Sequence, residues 1–202
     1  TIVTSQLVNR IGTHYGVNTK LGLPGFKWIA KMIRDAEGKE EFIGGGEESF
    51  GMMVGDFVRD KDAISATLLA CEIAADAKSK GSSVYDGLLD IYTKLGLYRE
   101  HLISVVKKGM EGAQEIKQMM VDLRQNPLTE IDGEKVLYLN DYESSVSRNL
   151  IKKTSEKIDL PKSDVLIYET ENGTRIAARP SGTEPKIKFY ISVNSPLQSK
   201  SA

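Results

Sequence analysis

The apolar period of this chain changes once, and that change limits what it can fold into. As far as Asn126, apolar residues recur every three or four positions and glycines stop the runs; beyond Pro127 they alternate with polar residues. Helical and alternating patterns bury different faces, so the chain is expected to hold two cores. The expected fold is a mixed, largely parallel α/β domain followed by an α+β domain with an antiparallel sheet. Gly109 and Gly112 interrupt the pattern, and the boundary is expected near residues 99–110.

In the first half, Thr4 or Ser5 can cap a helix whose Leu7, Val8 and Ile11 share a face and which Gly16 stops. Short strands are expected at Thr1 to Val3, Val17 to Leu21 and Glu41 to Ile43, with a helix carrying Phe26, Ile29, Met32 and Ile33 between the last two. Such β-α-β-α-β order predicts a parallel sheet whose ligands bind in the loops leaving the strands, here 22–25 and 44–51. Further helices are expected over Asp62 to Lys80, ended by Gly81, over Asp86 to Leu95, and around Ile116, Met119, Met120 and Leu123. Lys135 to Leu139 reads as a strand. Asp164 to Tyr168 and Arg175 to Ala178 flank Asn172-Gly173, a hairpin turn signal. Ile187, Phe189, Ile191 and Val193 alternate with Lys186, Lys188, Tyr190 and Ser192, giving one buried and one wet face. The tail from Asn194 is expected to be disordered.

A chain of 202 residues, 40% apolar and 27% charged, is ordinary globular material, and its formal charge of -1 offers no field for a nucleic-acid backbone. No nucleic-acid partner is expected. Neither is a membrane, because no run of apolar residues is long enough to cross one. The lone Cys71 cannot form an intrachain disulfide and reads as a buried, inert thiol in an Ala-rich helix, which suits a reducing cytoplasm. Thr1 is not a start methionine, so the chain is expected to begin inside a longer protein.

Chemistry can reside in two stretches. Gly44-Gly45-Gly46-Glu47-Glu48-Ser49-Phe50-Gly51 combines glycines that admit close approach with carboxylates and a hydroxyl suited to vicinal sugar hydroxyls. The bland alternative is a flexible polar turn. Arg179-Pro180-Ser181-Gly182-Thr183-Glu184-Pro185 combines a planar guanidinium fork, two hydroxyls and a small residue where backbone N–H groups can converge on an anion, while the prolines limit its freedom. Its bland alternative is a hairpin turn with an exposed arginine. Asp56, Asp60 and Asp62 read as a solvated face and a helix cap, and His14 and His101 as isolated surface residues.

Together these stretches resemble the α-D-phosphohexomutase superfamily of phosphoglucomutases and phosphomannomutases, whose sugar loop reads like Gly46-Glu47-Glu48-Ser49 and whose last domain carries an Arg-Pro-Ser-Gly-Thr-Glu-Pro loop. Val58-Arg59-Asp60-Lys61-Asp62 looks like the family's Arg-x-Lys-Asp segment, and Gly25-Phe26-Lys27 like its Gly-aromatic-Lys signature. Pro24 departs from the pattern, because relatives commonly have threonine there; any contact at this point then comes from Gly25 backbone. The resemblance implies the third domain of such an enzyme over residues 1–103 and the fourth, related in fold to TATA-box-binding protein, over 104–202. In the family four domains surround one cleft, and a phosphoserine exchanges a phosphoryl group with the sugar's 1- and 6-positions through a hexose 1,6-bisphosphate that turns around.

By that resemblance Glu47 and Ser49 meet the sugar hydroxyls, Gly25, Lys27 and Arg59 also belong to the substrate-binding set, Arg179, Ser181, Gly182 and Thr183 hold the non-reacting phosphate, and Lys61 acts near the reacting centre as a cationic stabiliser or proton donor. The family's Thr-Ala-Ser-His-Asn-Pro serine loop and its Asp-x-Asp-x-Asp-Arg magnesium loop do not occur in these residues. The serine and the Mg2+ ligands are then expected in the missing N-terminal domains, and this chain alone is expected to be inactive. The Glu-Glu-Ser-Phe sequence leans towards glucose or mannose phosphates over amino sugars; glucose, mannose and pentose remain open. Two alternatives stand beside this reading, a stand-alone phosphosugar-binding module and a protein-interaction domain.

Overall fold

The computed structural model describes residues 1–200 and divides into two compact units, Thr1–Leu97 joined by the segment from Ser195 onward, and Tyr98–Asn194. The first is an α/β unit and the second an α+β unit dominated by its sheet.

In the first unit α1 spans Leu7–His14 and α2 Phe26–Ala36. Phe26, Ile29 and Ile33 lie at helical spacing on one face of α2 and are buried against Met53, with Met32 and Phe42 packed around them. Met53 belongs to a hairpin formed by β1, Gly44–Gly46, and β2, Met52–Val54, in which Gly45 pairs with Met53. Helix α3, Ala63–Ser79, starts where Asp62 accepts from Ile64 N at 3.1 Å and Ser65 N at 3.4 Å. It ends in a Schellman pattern, Ser82 N to Ala77 O and Gly81 N to Lys78 O, with Gly81 at φ +67. Helix α4, Val84–Leu95, opens on a capping box between Ser83 and Asp86.

Three expectations for this unit are corrected. Residues 1–3, 17–21 and 41–43 form no strands; the pairing present is the antiparallel β1–β2 hairpin. The donors of the first two segments go elsewhere, Ile2 N to Gly22 O at 2.9 Å and Val17 N to Gly12 O at 2.8 Å, the latter closing the end of α1. Cys71 is exposed, as are Ile64, Leu68 and Ile73 of the same helix, because α3 buries none of its residues in this unit. The tail expected to be disordered from Asn194 instead continues the last strand through Ser195, and Lys200 pairs with Asp90 at 2.8 Å; residues 201–202 lie outside the described residues.

The second unit adds β3, Leu97–Val106, α5, Gly109–Gln125, β4, Glu130–Ile131, β5, Glu134–Asp141, β6, Val146–Asn149, β7, Thr154–Lys157, β8, Leu166–Thr170, β9, Arg175–Pro180, and β10, Lys186–Ser195. The sheet runs β3-β10-β9-β8-β5-β6-β7, with β4 paired to β5. Ile116 and Met120 of α5 pack on Val136, Leu139, Leu166, Tyr168, Ala178 and Ile187, so one helix covers one sheet face. The Asn172-Gly173 hairpin forms, but through three loop residues. Thr170 N bonds Thr174 O at 2.9 Å, and only Gly173 has positive φ, +86, as a three-residue loop requires. β3 was not anticipated from the sequence, where a boundary was expected; its residues are mostly exposed, polar residues run together at Arg99-Glu100-His101 and apolar ones at Leu102-Ile103, so the alternation is weak.

Candidate functional site

The candidate residues of the first unit gather around the β1–β2 hairpin. Glu47 N donates to Gly51 O at 2.8 Å, closing a tight loop over residues 47–51. Its glycines are there for space. A side chain on Gly45 would stand 3.2 Å from the Phe42 ring and 3.3 Å from Ile29, and one on Gly51 would stand 2.4 Å from the Phe26 ring. Phe50, wholly exposed at the tip, takes φ +66, a conformation costly for a side-chain-bearing residue. Strain of this kind collects at ligand-binding loops.

Two carboxylates fix this loop to other segments. Glu47 Oε1 accepts from Gly25 N, the N-cap backbone of α2, so the 22–25 and 44–51 loops are one assembly. Glu48 Oε2 accepts from Thr4 Oγ1 at 3.1 Å and Thr1 Oγ1 at 3.2 Å. No local pattern signals this brace, since its partners lie more than forty residues apart. Ser49 follows on the same loop and is exposed.

Lys61 lies along the end of that loop: a side chain on Gly51 would come within 3.1 Å of its Cγ. Its ammonium stands 4.8 Å from the centre of the Phe26 ring and 2.9 Å from Asp60 Oδ1. The hydrogen bond from Lys61 holds the Asp60 carboxyl below its ordinary range. Arg59 pairs with Glu37 just beyond α2, and Lys27 stands 5.4 Å from the Trp28 ring centre. These two cations line an open groove of about 500 Å³ with Trp28, Ala30, Lys31 and Arg34. Gly25, Lys27, Glu47, Ser49, Arg59 and Lys61 thus all lie within the first unit, around α2 and the hairpin.

Arg179, Ser181, Gly182 and Thr183 lie in the second unit where β9 turns into β10. Ser181 N donates to Lys186 O at 2.7 Å and Lys186 N to Glu184 O at 2.7 Å, while Lys107 N bonds Pro185 O at 2.9 Å. Backbone bonds therefore set the loop's shape. Thr183 N donates to Ser181 Oγ at 3.4 Å, and a side chain on Gly182 would meet only open space. Arg179 is half-buried, and among the described residues no carboxylate pairs with its guanidinium. Lys186 pairs with Glu184 at 2.6 Å, and this hydrogen bond, followed by the charges of Lys186 and Lys188, holds the Glu184 carboxyl below its ordinary range.

Comparisons with known proteins follow the same division. Residues 1–92 match the family described as phosphoglucomutase/phosphomannomutase, alpha/beta/alpha domain III, and residues 105–196 the phosphoglucomutase/phosphomannomutase C-terminal domain. The chain is 41% identical over 193 residues to a phosphoglucomutase of Staphylococcus haemolyticus, covering 96% of this chain and 35% of that protein. It is 40% identical over 195 residues to a phosphoglucomutase of Staphylococcus aureus strain MRSA252, again spanning 35% of its length. The fold is similar to the open-form crystal structure of parafusin, an exocytosis-sensitive phosphoprotein from Paramecium titled as a phosphoglucomutase, with a TM-score of 0.68 at 19% identity over 98% of this chain and 33% of that one. The chain thus spans about a third of the length of the relatives it matches.

Proposed function

The chain belongs to the phosphoglucomutase/phosphomannomutase family, and from that membership we propose that it is the sugar- and phosphate-binding part of an enzyme interconverting hexose 1-phosphate and hexose 6-phosphate. In this reading a phosphoserine of a preceding domain passes its phosphoryl group to the free sugar hydroxyl, and the bisphosphate turns and returns the other phosphoryl group to the serine. The residues of this chain bind and orient. Residues 1–103 hold the sugar and residues 104–202 the phosphate that does not react.

Arg179 carries the reading. A half-buried guanidinium without a carboxylate, beside a loop already fixed by its own backbone bonds, is arranged to accept an anion with little ordering cost. Ser181 and Thr183 add hydroxyls, and Gly182 admits the phosphate to the backbone. At the other loop, Glu47 has one oxygen committed to Gly25, which aims its second oxygen, and Ser49 adds a hydroxyl two residues on. Both are suited to sugar hydroxyls in either orientation of the intermediate. Lys61, beside the same loop, supplies a cation for charge developing on the transferring group, and Lys27 and Arg59 add cations in the groove along α2.

Magnesium and hexose 1,6-bisphosphate belong to this reading as cofactor and intermediate. Among the described residues no three His, Cys, Asp or Glu side chains converge as metal ligands. The residues here therefore do not fit the metal, and no step is routed through it. No helix among the described residues is long and apolar enough to cross a membrane. The exposed, unpaired Cys71 thiol supports a reducing cytoplasm.

The test is Arg179 in the polypeptide that carries this segment with its preceding domains. Each charge-assisted bond to phosphate contributes about 1.5–3 kcal/mol. Arg179→Lys, which keeps the charge and loses the fork, is expected to weaken hexose-phosphate binding about tenfold, and Arg179→Ala by more. Unphosphorylated hexose is expected to bind alike to all three. Unchanged phosphosugar affinity in Arg179→Ala, with an unchanged melting curve, would reduce this loop to a hairpin turn.

A further inference from the structure

Phe50 meets two costs that nothing inside the first unit offsets. Its side chain is wholly exposed at the tip of the 47–51 loop, and its backbone stands at φ +66, where a residue with a Cβ is strained. Among the described residues the other non-glycine positions of positive φ are Asp132, Ser145 and Lys153, polar residues in turns between paired strands. Phe57 is exposed too, but a side chain added at Gly55 would stand 3.2 Å from its ring, and its φ is not positive. Nor is the Phe50 ring exposed because the loop is loose. Glu47 N closes the loop on Gly51 O, Glu47 Oε1 accepts from Gly25 N, and Glu48 accepts from Thr1 and Thr4, so the backbone is held on both sides of Phe50.

We propose that Phe50 is a sugar-binding residue whose ring stacks on the C–H face of the hexose, while Glu47 and Ser49 take its hydroxyl edge. The inference rests on the sugar-loop reading of residues 44–51 and deepens it. A pyranose is amphipathic: its equatorial hydroxyls form a polar rim, and its axial C–H groups make the faces apolar. Glu47 and Ser49 answer the rim and leave a face in water. An aromatic ring has an electron-rich face that attracts polarised C–H groups, and stacking removes two apolar surfaces from water at once. Small-molecule sites combine such apolar walls with a few placed polar groups. Phe50 directly follows Ser49, so ring and hydroxyl leave the chain from Cα atoms about 3.8 Å apart, within the span of one sugar. Backbone strain in a loop so firmly anchored is what persists where a side chain is displayed to a ligand.

The test separates the ring from the strain. Asn adopts left-handed backbone readily and has no aromatic face. Phe50→Asn in the 202-residue chain is therefore expected to raise the melting temperature by about 1–4 °C. In the polypeptide that carries this segment with its preceding domains, the same variant is expected to raise KM for glucose 1-phosphate about three- to tenfold. Competitive inhibition by inorganic phosphate, which has no sugar face, is expected to stay within about twofold of wild type. Phe50→Tyr keeps the ring and is expected to retain the wild-type KM, whereas Phe50→Leu, apolar without a ring face, is expected to follow Phe50→Asn. If Phe50→Asn keeps the wild-type KM while Glu47→Gln raises it, the sugar loop stands and the role of Phe50 falls. If neither variant changes KM, the sugar-loop reading falls and takes the inference with it. A loss of phosphate inhibition equal to the rise in KM would place the effect away from the sugar and overturn the inference. So would a wild-type KM in Phe50→Asn together with a lower melting temperature of the longer polypeptide, which would assign the ring to a contact with protein.

Discussion

Arg124 illustrates how one side chain can tie an element down and make a unit sensitive to acid. Only 16% exposed, its guanidinium meets Asp141 at 3.1 Å, Glu143 at 2.8 Å and Asp164 at 2.5 Å. It thereby pins the end of α5 to the end of β5 and to the segment entering β8. Burial pushes the Asp141 carboxyl up, but hydrogen bonds from Ser144 and Arg124 and the charge of Arg124 together outweigh it, so Asp141 lies below its ordinary value. A carboxyl depressed in the folded state stabilises that state above its unfolded value near 4, and the contribution is lost as pH falls through the folded value. Urea midpoints of the second unit are therefore expected to fall below about pH 4. Asp141→Asn is expected to cost about 1–3 kcal/mol at pH 7 and to flatten that acid limb. An acid limb as steep in the variant as in wild type would assign the pH dependence to other carboxylates.

At the scale of elements, the β1–β2 hairpin and α2 act as one piece. Gly51 allows it, because only a residue without Cβ lets the hairpin close against the buried Phe26 ring and the stem of Lys61 together. Gly51→Ala would set a carbon 2.4 Å from Phe26 Cε2, a core atom with little room to move. It is expected to destabilise the first unit by about 1–3 kcal/mol and to move Lys61 off the ring. The displacement is readable as loss of the upfield ring-current shift on the Lys61 ε-methylene protons. A variant with both the wild-type melting curve and the wild-type Lys61 resonances would show that the contact does not depend on this glycine. Element limits followed local chemistry closely: Asp62 and Ser83 start α3 and α4, and Gly81 and Gly96 end them.

Over the whole chain each unit has its own core, one built on Phe26, Ile29, Ile33 and Met53 and the other on α5 against the sheet. The binding loops lie on these separate frames. Neither a phosphoserine loop of the family type nor a cluster of metal ligands is present in the described residues, so the 202-residue chain is expected to bind phosphosugar without converting it. Glucose 1-phosphate incubated with the purified chain should stay unchanged in a coupled assay that detects glucose 6-phosphate. Turnover that co-purifies with the chain, and is lost in Arg179→Ala, would overturn the division of labour proposed here.

By itself the sequence determined the helices, the last hairpin and the candidate loops. Each depends on near neighbours: the i, i+3, i+7 spacing of Phe26, Ile29 and Ile33, the stop at Gly81, the alternation from Ile187 to Val193, and the ordered motifs at 46–49 and 179–185. It could not settle which extended segments find partners. Residues 1–3, 17–21 and 41–43 have strand-like composition, yet a strand exists only when another supplies its hydrogen bonds, and that depends on chain far away in sequence. The same holds for Cys71, whose helical position was legible and whose exposure was not, because burial needs a neighbour to pack against. The pairings that give the loops their chemistry were likewise decided by tertiary structure: Glu47 on the backbone of Gly25, Glu48 on Thr4, and Lys61 over Phe26. A sequence specifies which groups exist and how adjacent residues turn; which distant groups come within a few ångströms is decided only when the register closes and the cores pack.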